Sequence, residues 1–470
     1  MVTLKEKVGY GFGDMASSMF WKIFGMYSLF FYTDVFGITA AAAGTMFLAA
    51  RVWDSFFDLF VGILADRTKS QWGRYRPYLL WFAIPFAVMG VITFFVPDFG
   101  STGKLVYAYI TYSLMMIVYS IINVPYASLL GVMSPEPKER NVLSSYRMSF
   151  AFIGSFITFM LLQPLIDTYA NCFDSTIADS GRDAVNSVST SPMAWTMGVA
   201  TIGIICTLLF FLCFSWTRER VQPVNAKEDT SVKQDLTNLF HNTPWWILVG
   251  TGLAALLFNA VRDGVAIYYF RDYVQVNYRM AFTGWDTTTI YFLIGQAANL
   301  VGVMCAPAIS AKYGKKTTYM IAMLIAAVLS AIFFFIPNQL GWILLLQVLI
   351  SLCAGYVLPL LWSMFADIVD DQELKTNRRA SGLIFSSSSM SQKLGWALGA
   401  ALTGWVLFWF KYNPEIAQQS TETLLGERLM ISLLPAVCCI IAFIGMMFYP
   451  LSDKRVKEIA EELEKKRAKK

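Results

Sequence analysis

The sequence predicts an all-α polytopic membrane protein, with twelve transmembrane helices in two pseudo-symmetric six-helix bundles. Three observations predict it. The 470 residues are 56% hydrophobic and only 15% charged, a balance that a soluble chain of this size does not keep. Apolar stretches of about 20 residues, the length that crosses a bilayer as a helix, recur along the chain. Polar loops of similar make-up return at equivalent places in the two halves.

The predicted spans are 11–32, 41–64, 77–96, 105–130, 143–165 and 195–214, then 245–270, 287–309, 318–336, 342–365, 383–408 and 429–448. They divide the chain into a first bundle (1–217), a polar linker (218–244), a second bundle (245–450) and a tail (451–470). The start, MVTLKEKVGYGFG, lacks the pattern of a cleavable signal. Lys and Arg concentrate at the N-terminus, in the loops after even-numbered helices and in the tail. Both termini are therefore expected on the cytoplasmic side of the cell (inner) membrane. The net charge of +5 follows from this topology and calls for no nucleic-acid partner. Six of the seven cysteines fall in apolar segments and Cys172 lies alone in an outer loop, so neither a disulfide framework nor a metal site is expected. The single histidine, His241, sits in a loop before helix seven.

Taken in order, helix one (YGFGDMASSMFWKIFGMYSLFFYTD) places Asp14, Ser17 and Ser18 on nearby faces, with Lys22 one turn later. A lysine at that depth faces a cavity, pairs with an acid or snorkels. Helix two carries Arg51, Asp54 and Asp58 on one face. A charge at the bilayer centre costs about 3 kcal/mol or more. Arg51 can offset one aspartate of that set, and the other points to a proton or cation site; a structural ion-pair cluster is the plainer alternative. The loop that follows, DRTKSQWGRYRP, supplies Asp66, Arg67, Arg74 and Arg76 as gating or structural charges. Helix four offers Tyr119, Ser120 and Asn123, and Pro125 frees a backbone carbonyl within the membrane. Arg147 stands near the inner end of helix five, where snorkelling and substrate contact are both open. Helix seven clusters Asn259, Arg262 and Asp263, as a gating pair or a substrate contact. Helix eleven sets Lys393 after the run Ser386–Ser389, among small residues, so it points into the bundle. The tail reads as a surface helix whose basic end meets anionic lipid. The loop SQWGRYRPYL after helix two returns as SAKYGKKTTYM after helix eight. Two alike halves are what an alternating-access transporter is built from, with its site near the midplane.

The pattern RVWDxxxDxxxGxxxDRTxSxWGRYRP, with YGFGD near the start and ADIVDDxELKTNRRASG before helix eleven, resembles the glycoside–pentoside–hexuronide:cation symporters of the major facilitator superfamily. The resemblance covers nearly the whole chain and implies sugar transport driven by a cation gradient. It implies cation-coordinating roles for Asp54 and Asp58, with Arg51 beside them and Ser120 nearby. It also implies sugar contacts from Tyr119 and Arg147, and a conformational role for Lys393. The departures are Ser18 and Asn123 where the family pattern has sugar-gripping aspartates, and Ser17 in place of a lysine. Ala127 and Leu358 replace tryptophans, and Phe57 replaces an asparagine that helps ligate sodium. Losing a neutral oxygen favours a proton over sodium as the coupling ion. Losing two acids while keeping Arg147, Lys393 and Lys22 favours an anionic sugar over a neutral glycoside. A carrier of lysolipids or other amphiphiles is the alternative of the same fold. An enzyme would need a nucleophile–base pair or a metal-ligand cluster, and no such pattern is present. There is no GxxxxGK[ST] loop for ATP-driven pumping. No cofactor is expected; the partners are a sugar and membrane lipid, and the protein reads as a monomer.

Overall fold

A backbone in lipid has no water to bond, so the apolar stretches fold as helices that satisfy their own amides. In the computed structural model the first six run Leu4–Lys22, Ala40–Arg67, Arg76–Trp81 with Ala83–Thr93, Ser101–Met133, Pro137–Phe173 and Pro192–Trp216. The second six run Thr243–Tyr268, Thr287–Tyr313, Lys315–Phe333, Leu340–Gly355 with Val357–Thr376, Ser381–Trp409, and Thr421–Ile431 with Leu433–Met447. A tail helix, Asp453–Ala468, follows. The structure describes all residues except 1, 135–136, 174–189, 221–236, 238, 276–284, 377–380, 417 and 469–470. Most of the outer loop and most of the linker anticipated from the sequence lie outside the described residues. Helices four and five extend several residues beyond the predicted spans, helix five running on past Pro164.

Eight of the described helical runs are by themselves long and apolar enough to cross a membrane. The other four are informative. Helix three is broken at Phe82. Helix one passes into π-helical turns at Ile23–Tyr27 and Phe31–Val35. Helices two and eleven are diluted by Arg51 and Asp54 and by the serines and Lys393. Three of these least lipid-like helices, one, two and eleven, thus carry candidate site residues at the cost of apolarity.

The described chain forms two compact units. One comprises Met1–Asn225, Phe270–Leu293 and Gly404–Thr423; the other comprises Ala226–Tyr269, Ile294–Thr403 and Leu424–Lys470. Within the first, helix one packs on five and six, helix two on four, and helix three on four and six. Within the second, helix seven packs on twelve, and helix nine on ten and twelve. The pairs one–six, three–six and three–four therefore return as seven–twelve, nine–twelve and nine–ten.

The repeated loops explain the repeat in chemical terms. Gly73 takes φ +109°, and the carboxylate of Glu219 accepts from the amides of Arg74, Tyr75 and Arg76 at 2.9, 2.8 and 2.9 Å. Those amides begin helix three, where the helix dipole favours an anion. Arg76 turns back and donates from Nη2 to the carbonyl of Phe214, near the end of helix six, at 2.6 Å. In the other half Gly314 takes φ +87° and Asp453 accepts from the Lys315 amide at 3.0 Å. Lys316 donates to the carbonyls of Met447 and Tyr449, at the end of helix twelve, at 2.9 and 2.7 Å. A Cβ at either glycine would run into the carboxylate. Each half is thus closed by the same clasp: an acid beyond its sixth helix on the start of its third. Glu219→Ala removes three charge-assisted bonds and should destabilise the protein by about 2 kcal/mol. Asp453→Ala removes one and should cost less. Melting of the purified variants in detergent measures both.

Candidate functional site

The orientation of helix two follows from its apolar stripe. Val52, Trp53, Phe56, Phe60 and Leu64 are exposed along one side, the side suited to lipid. That rotation turns Arg51 and Asp54 inward. Asp54 is fully buried (0%) and Arg51 nearly so (5%). Ser120 Oγ on helix four donates to Asp54 Oδ1 at 2.6 Å. Arg51 Nη1 stands 3.7 Å from Asp54 Oδ2, an ion pair longer than a hydrogen bond. The Arg51 guanidinium lies 4.4 Å from the centre of the Trp21 ring on helix one. Asp58, one turn further along helix two, is half-buried.

Beside this cluster, Tyr119 packs between Trp21 and Phe86, with ring centres 5.8 and 6.2 Å away. Asn123 donates from its amide to the Tyr119 carbonyl at 3.0 Å. Arg147 reaches across to helix one, where its Nε donates to Asp14 Oδ2 at 3.0 Å. Its guanidinium also lies 5.3 Å from the Tyr126 ring, which stacks on Tyr10 at 4.8 Å. Ser18 is half-buried on helix one, while the buried Ser17 hydroxyl donates to its own helix at Gly13. The ammonium of Lys22 is 5.7 Å from the Phe159 ring on helix five.

The structure therefore brings Arg51, Asp54, Ser120 and Tyr119 into one cluster, and sets Arg147 with Asp14 in the same unit. Lys393, Arg262 and Asp263 belong to the other unit. There, Arg262 is buried and donates to Gln347 at 2.5 Å, and Lys393 and Asp263 are half-buried. Arg67 is exposed at the end of helix two, and Arg74 and Arg76 belong to the clasp. The side chains of Asp66 and Ser386–Ser389 lie outside the described residues.

Three features escaped the sequence reading. Asp14 was noted only as polar, yet a carboxylate inside an apolar helix needs a cation and Arg147 supplies it. Trp21 carried no signal beyond being aromatic. The third feature is a charge cluster at the end of the helices remote from the N-terminus. Arg271 donates through Nε and Nη2 to both oxygens of Asp272, at 2.7 and 2.9 Å, and also to Asp34 and to the Tyr412 hydroxyl. Tyr412 in turn donates to Asp34 at 2.6 Å, as does Thr33. Both chain segments that supply the charges, Phe31–Val35 and Tyr269–Val274, are π-helical turns. Such turns leave no periodicity mark in a sequence.

A wholly buried carboxylate beside a hydroxyl and an arginine can change charge with a proton or cation. A nearby acid–arginine pair beside aromatic rings can hold a polyol. Comparison with known proteins gives the class of the chain. The chain is 34% identical over 468 residues to the putative glycoside/cation symporter YagG of Escherichia coli strain K12, covering 99% of this chain and 96% of that protein. It is 32% identical to the glucuronide carrier protein homolog of the same organism, covering 98% and 95%. Its fold is similar to that of the xylose transporter XylE from E. coli in an inward-open conformation, with a TM-score of 0.62 at 14% identity, covering 97% and 98%. The MFS/sugar transport protein family matches residues 9–453. On that match, and on relatives aligned from end to end, the chain belongs to the MFS/sugar transport protein family and is a membrane transporter, not an enzyme.

Proposed function

We propose that the chain is a sugar:cation symporter in which Asp54, with Asp58 one turn on, carries the coupling ion, and that this ion is a proton. The observation that carries the reading is the total burial of Asp54 against Ser120 and Arg51. A buried carboxylate is costly when ionised, and Arg51 at 3.7 Å offsets only part of that cost. Taking up a cation changes the charge of the cavity and with it the balance between conformations, which is what coupling requires. Sodium prefers a shell of several oxygens. Here a guanidinium stands beside the carboxylate, and Phe57 occupies the place of a neutral oxygen donor.

The substrate reading follows from charge. Arg51 and Arg147 each have a carboxylate partner, so the positive charge expected from the missing acids is largely offset. The Asp14–Arg147 pair offers acceptors and donors side by side, which suits sugar hydroxyls. Ser18, Asn123 and Tyr119 complete the sugar contacts. A neutral glycoside is therefore placed first. An anionic sugar is the second reading, supported by half-buried Lys22 and Lys393. Transport proceeds by alternating access in the cytoplasmic membrane, with both termini cytoplasmic, by a monomer.

Uptake of a sugar panel into proteoliposomes, under separately imposed proton and sodium gradients, tests this. The expected result is accumulation of a glycoside driven by the proton gradient alone. Accumulation driven only by sodium would overturn the proton assignment. Accumulation of no sugar under either gradient would turn the reading to an amphiphile carrier.

A further inference from the structure

Within the second unit, a recess of about 630 Å³ opens between the end of helix eight, the second segment of helix ten and the tail helix. Its lining is sorted by depth. Helix eight supplies Ala306 and Pro307 and then, a turn later, Ser310 and Lys312; helix ten supplies Pro359 and Leu360 and then Ser363. Both are even-numbered helices that run towards the same face, so the apolar residues lie deeper and the polar ones nearer that face. The tail helix adds Lys457 at the polar end. We propose that this recess binds an anionic phospholipid, with Lys312 and Lys457 on its phosphodiester and the upper acyl chains along the apolar wall. Such a lipid is a ligand of the transporter, separate from the sugar and from the basic end of the tail.

Depth and charge both point to a lipid. Met304 and Val301, 72% and 49% exposed, precede the recess on helix eight and suit acyl chains. Lys312 follows Met304 by about two turns, or about 12 Å, which is the step from the acyl region to the head groups. Tyr313 beside it is exposed, as aromatic residues at a membrane interface are. Two charges that line the recess are already engaged. The Lys315 ammonium is held by Asp367 at 2.8 and 2.7 Å, and Asp453 accepts from the Lys315 amide at 3.0 Å. Lys312 and Lys457 are exposed, and neither forms an ion pair among the described residues, so the polar end is positive. Lys457 is placed there by packing. Ile459 and Leu463, 1% and 4% exposed, dock the tail helix on helix ten. A basic pocket between helices on the cytoplasmic side is suited to an anionic head group. A free phosphate would use the lysines and leave the apolar wall unfilled.

The test is melting of the full chain in a non-ionic detergent as phosphatidylglycerol is added, since a ligand of the folded state raises the transition by mass action. Wild type should be stabilised by phosphatidylglycerol and far less by phosphatidylcholine with the same chains. Lys312→Gln with Lys457→Gln should raise the half-saturating phosphatidylglycerol concentration about tenfold or more, each lysine near an anionic surface being worth about fivefold. Lys312→Arg with Lys457→Arg keeps both charges and should stay near wild type. Lys69→Gln with Lys454→Gln removes two exposed charges that do not line the recess and should also stay near wild type. An unchanged half-saturating concentration in the Lys312, Lys457 glutamine variant would overturn the proposal. So would an equal weakening in the Lys69, Lys454 variant, which would reduce the effect to net charge. Equal stabilisation by phosphatidylcholine or by inorganic phosphate would overturn the assignment to an anionic lipid. None of these outcomes depends on sugar uptake, so the symport reading is tested separately.

Discussion

Asp54→Asn should abolish uphill sugar accumulation while leaving the protein folded and inserted. The substitution keeps the shape of the side chain and its contact with Ser120 Oγ, which bonds Asp54 at 2.6 Å. It removes the charge that a cation would neutralise. With an inside-negative potential of 100 mV, one co-transported positive charge supplies about 2.3 kcal/mol, enough for about 50-fold accumulation. In Asp54→Asn that ratio should fall to about 1, because sugar movement no longer carries charge. Counterflow of labelled sugar against unlabelled sugar, which needs no gradient, separates lost coupling from lost binding. Retained counterflow with lost accumulation is the expected pair of results. Accumulation at the wild-type ratio would move the coupling site away from Asp54. Asp58→Asn is the natural companion, and its half-buried position predicts a milder loss.

Arg271→Ala should produce the largest loss of stability of any single substitution among the described ion pairs. Arg271 is the hub of the cluster remote from the N-terminus, serving Asp272 with two bonds, Asp34 with one and the Tyr412 hydroxyl with another. Removing one partner of a buried pair costs about 3–5 kcal/mol, because the remaining charges stay buried. Here two carboxylates, Asp34 and Asp272, would face each other. Melting in detergent should show a drop of several degrees or failure to purify as a folded protein. Arg271→Lys should recover only part of it, since an ammonium cannot span both oxygens of Asp272. Asp34→Asn should be milder than either, because Arg271 keeps Asp272. An Arg271→Ala protein that melted like wild type would show that the cluster contributes little to the fold.

The helices were legible because the bilayer imposes a length and a composition that an apolar stretch displays directly. Arg51, Asp54 and Asp58 were legible for the opposite reason, since charges stand out against such a background. Ser120 was legible only through resemblance, as a serine in an apolar helix more often bonds its own backbone. The partner of Arg147 was missed although Asp14 had been seen, because an acid and a base 133 positions apart carry no mark of their pairing. Glu219 was hidden for a similar reason: it lies at the edge of a polar linker where acids are common, and its value comes from amides about 145 positions earlier. The cluster around Arg271 was overlooked because its charges sit at helix ends, where charged residues need no explanation. The three π-helical turns had no signal at all, since they are imposed by packing and not by side-chain spacing.

The clasps have a consequence for where the polypeptide can be divided. Glu219 and Arg220 belong physically to the first half: Glu219 holds the start of helix three, and Arg220 bonds the Val132 carbonyl at 2.8 Å and Glu6 at 2.6 Å. Asp453 belongs to the second half in the same way, holding the start of helix nine. A first fragment ending at Thr217, where the last hydrophobic helix closes, is therefore missing a structural part, and one continued through Arg220 retains it. The same holds at the other end, where a second fragment trimmed at Pro450 loses Asp453. Split halves meant to be co-expressed, or fusion partners joined in place of the tail, have their proper borders no earlier than Arg220 and Asp453, four and six residues past the lipid-facing helices.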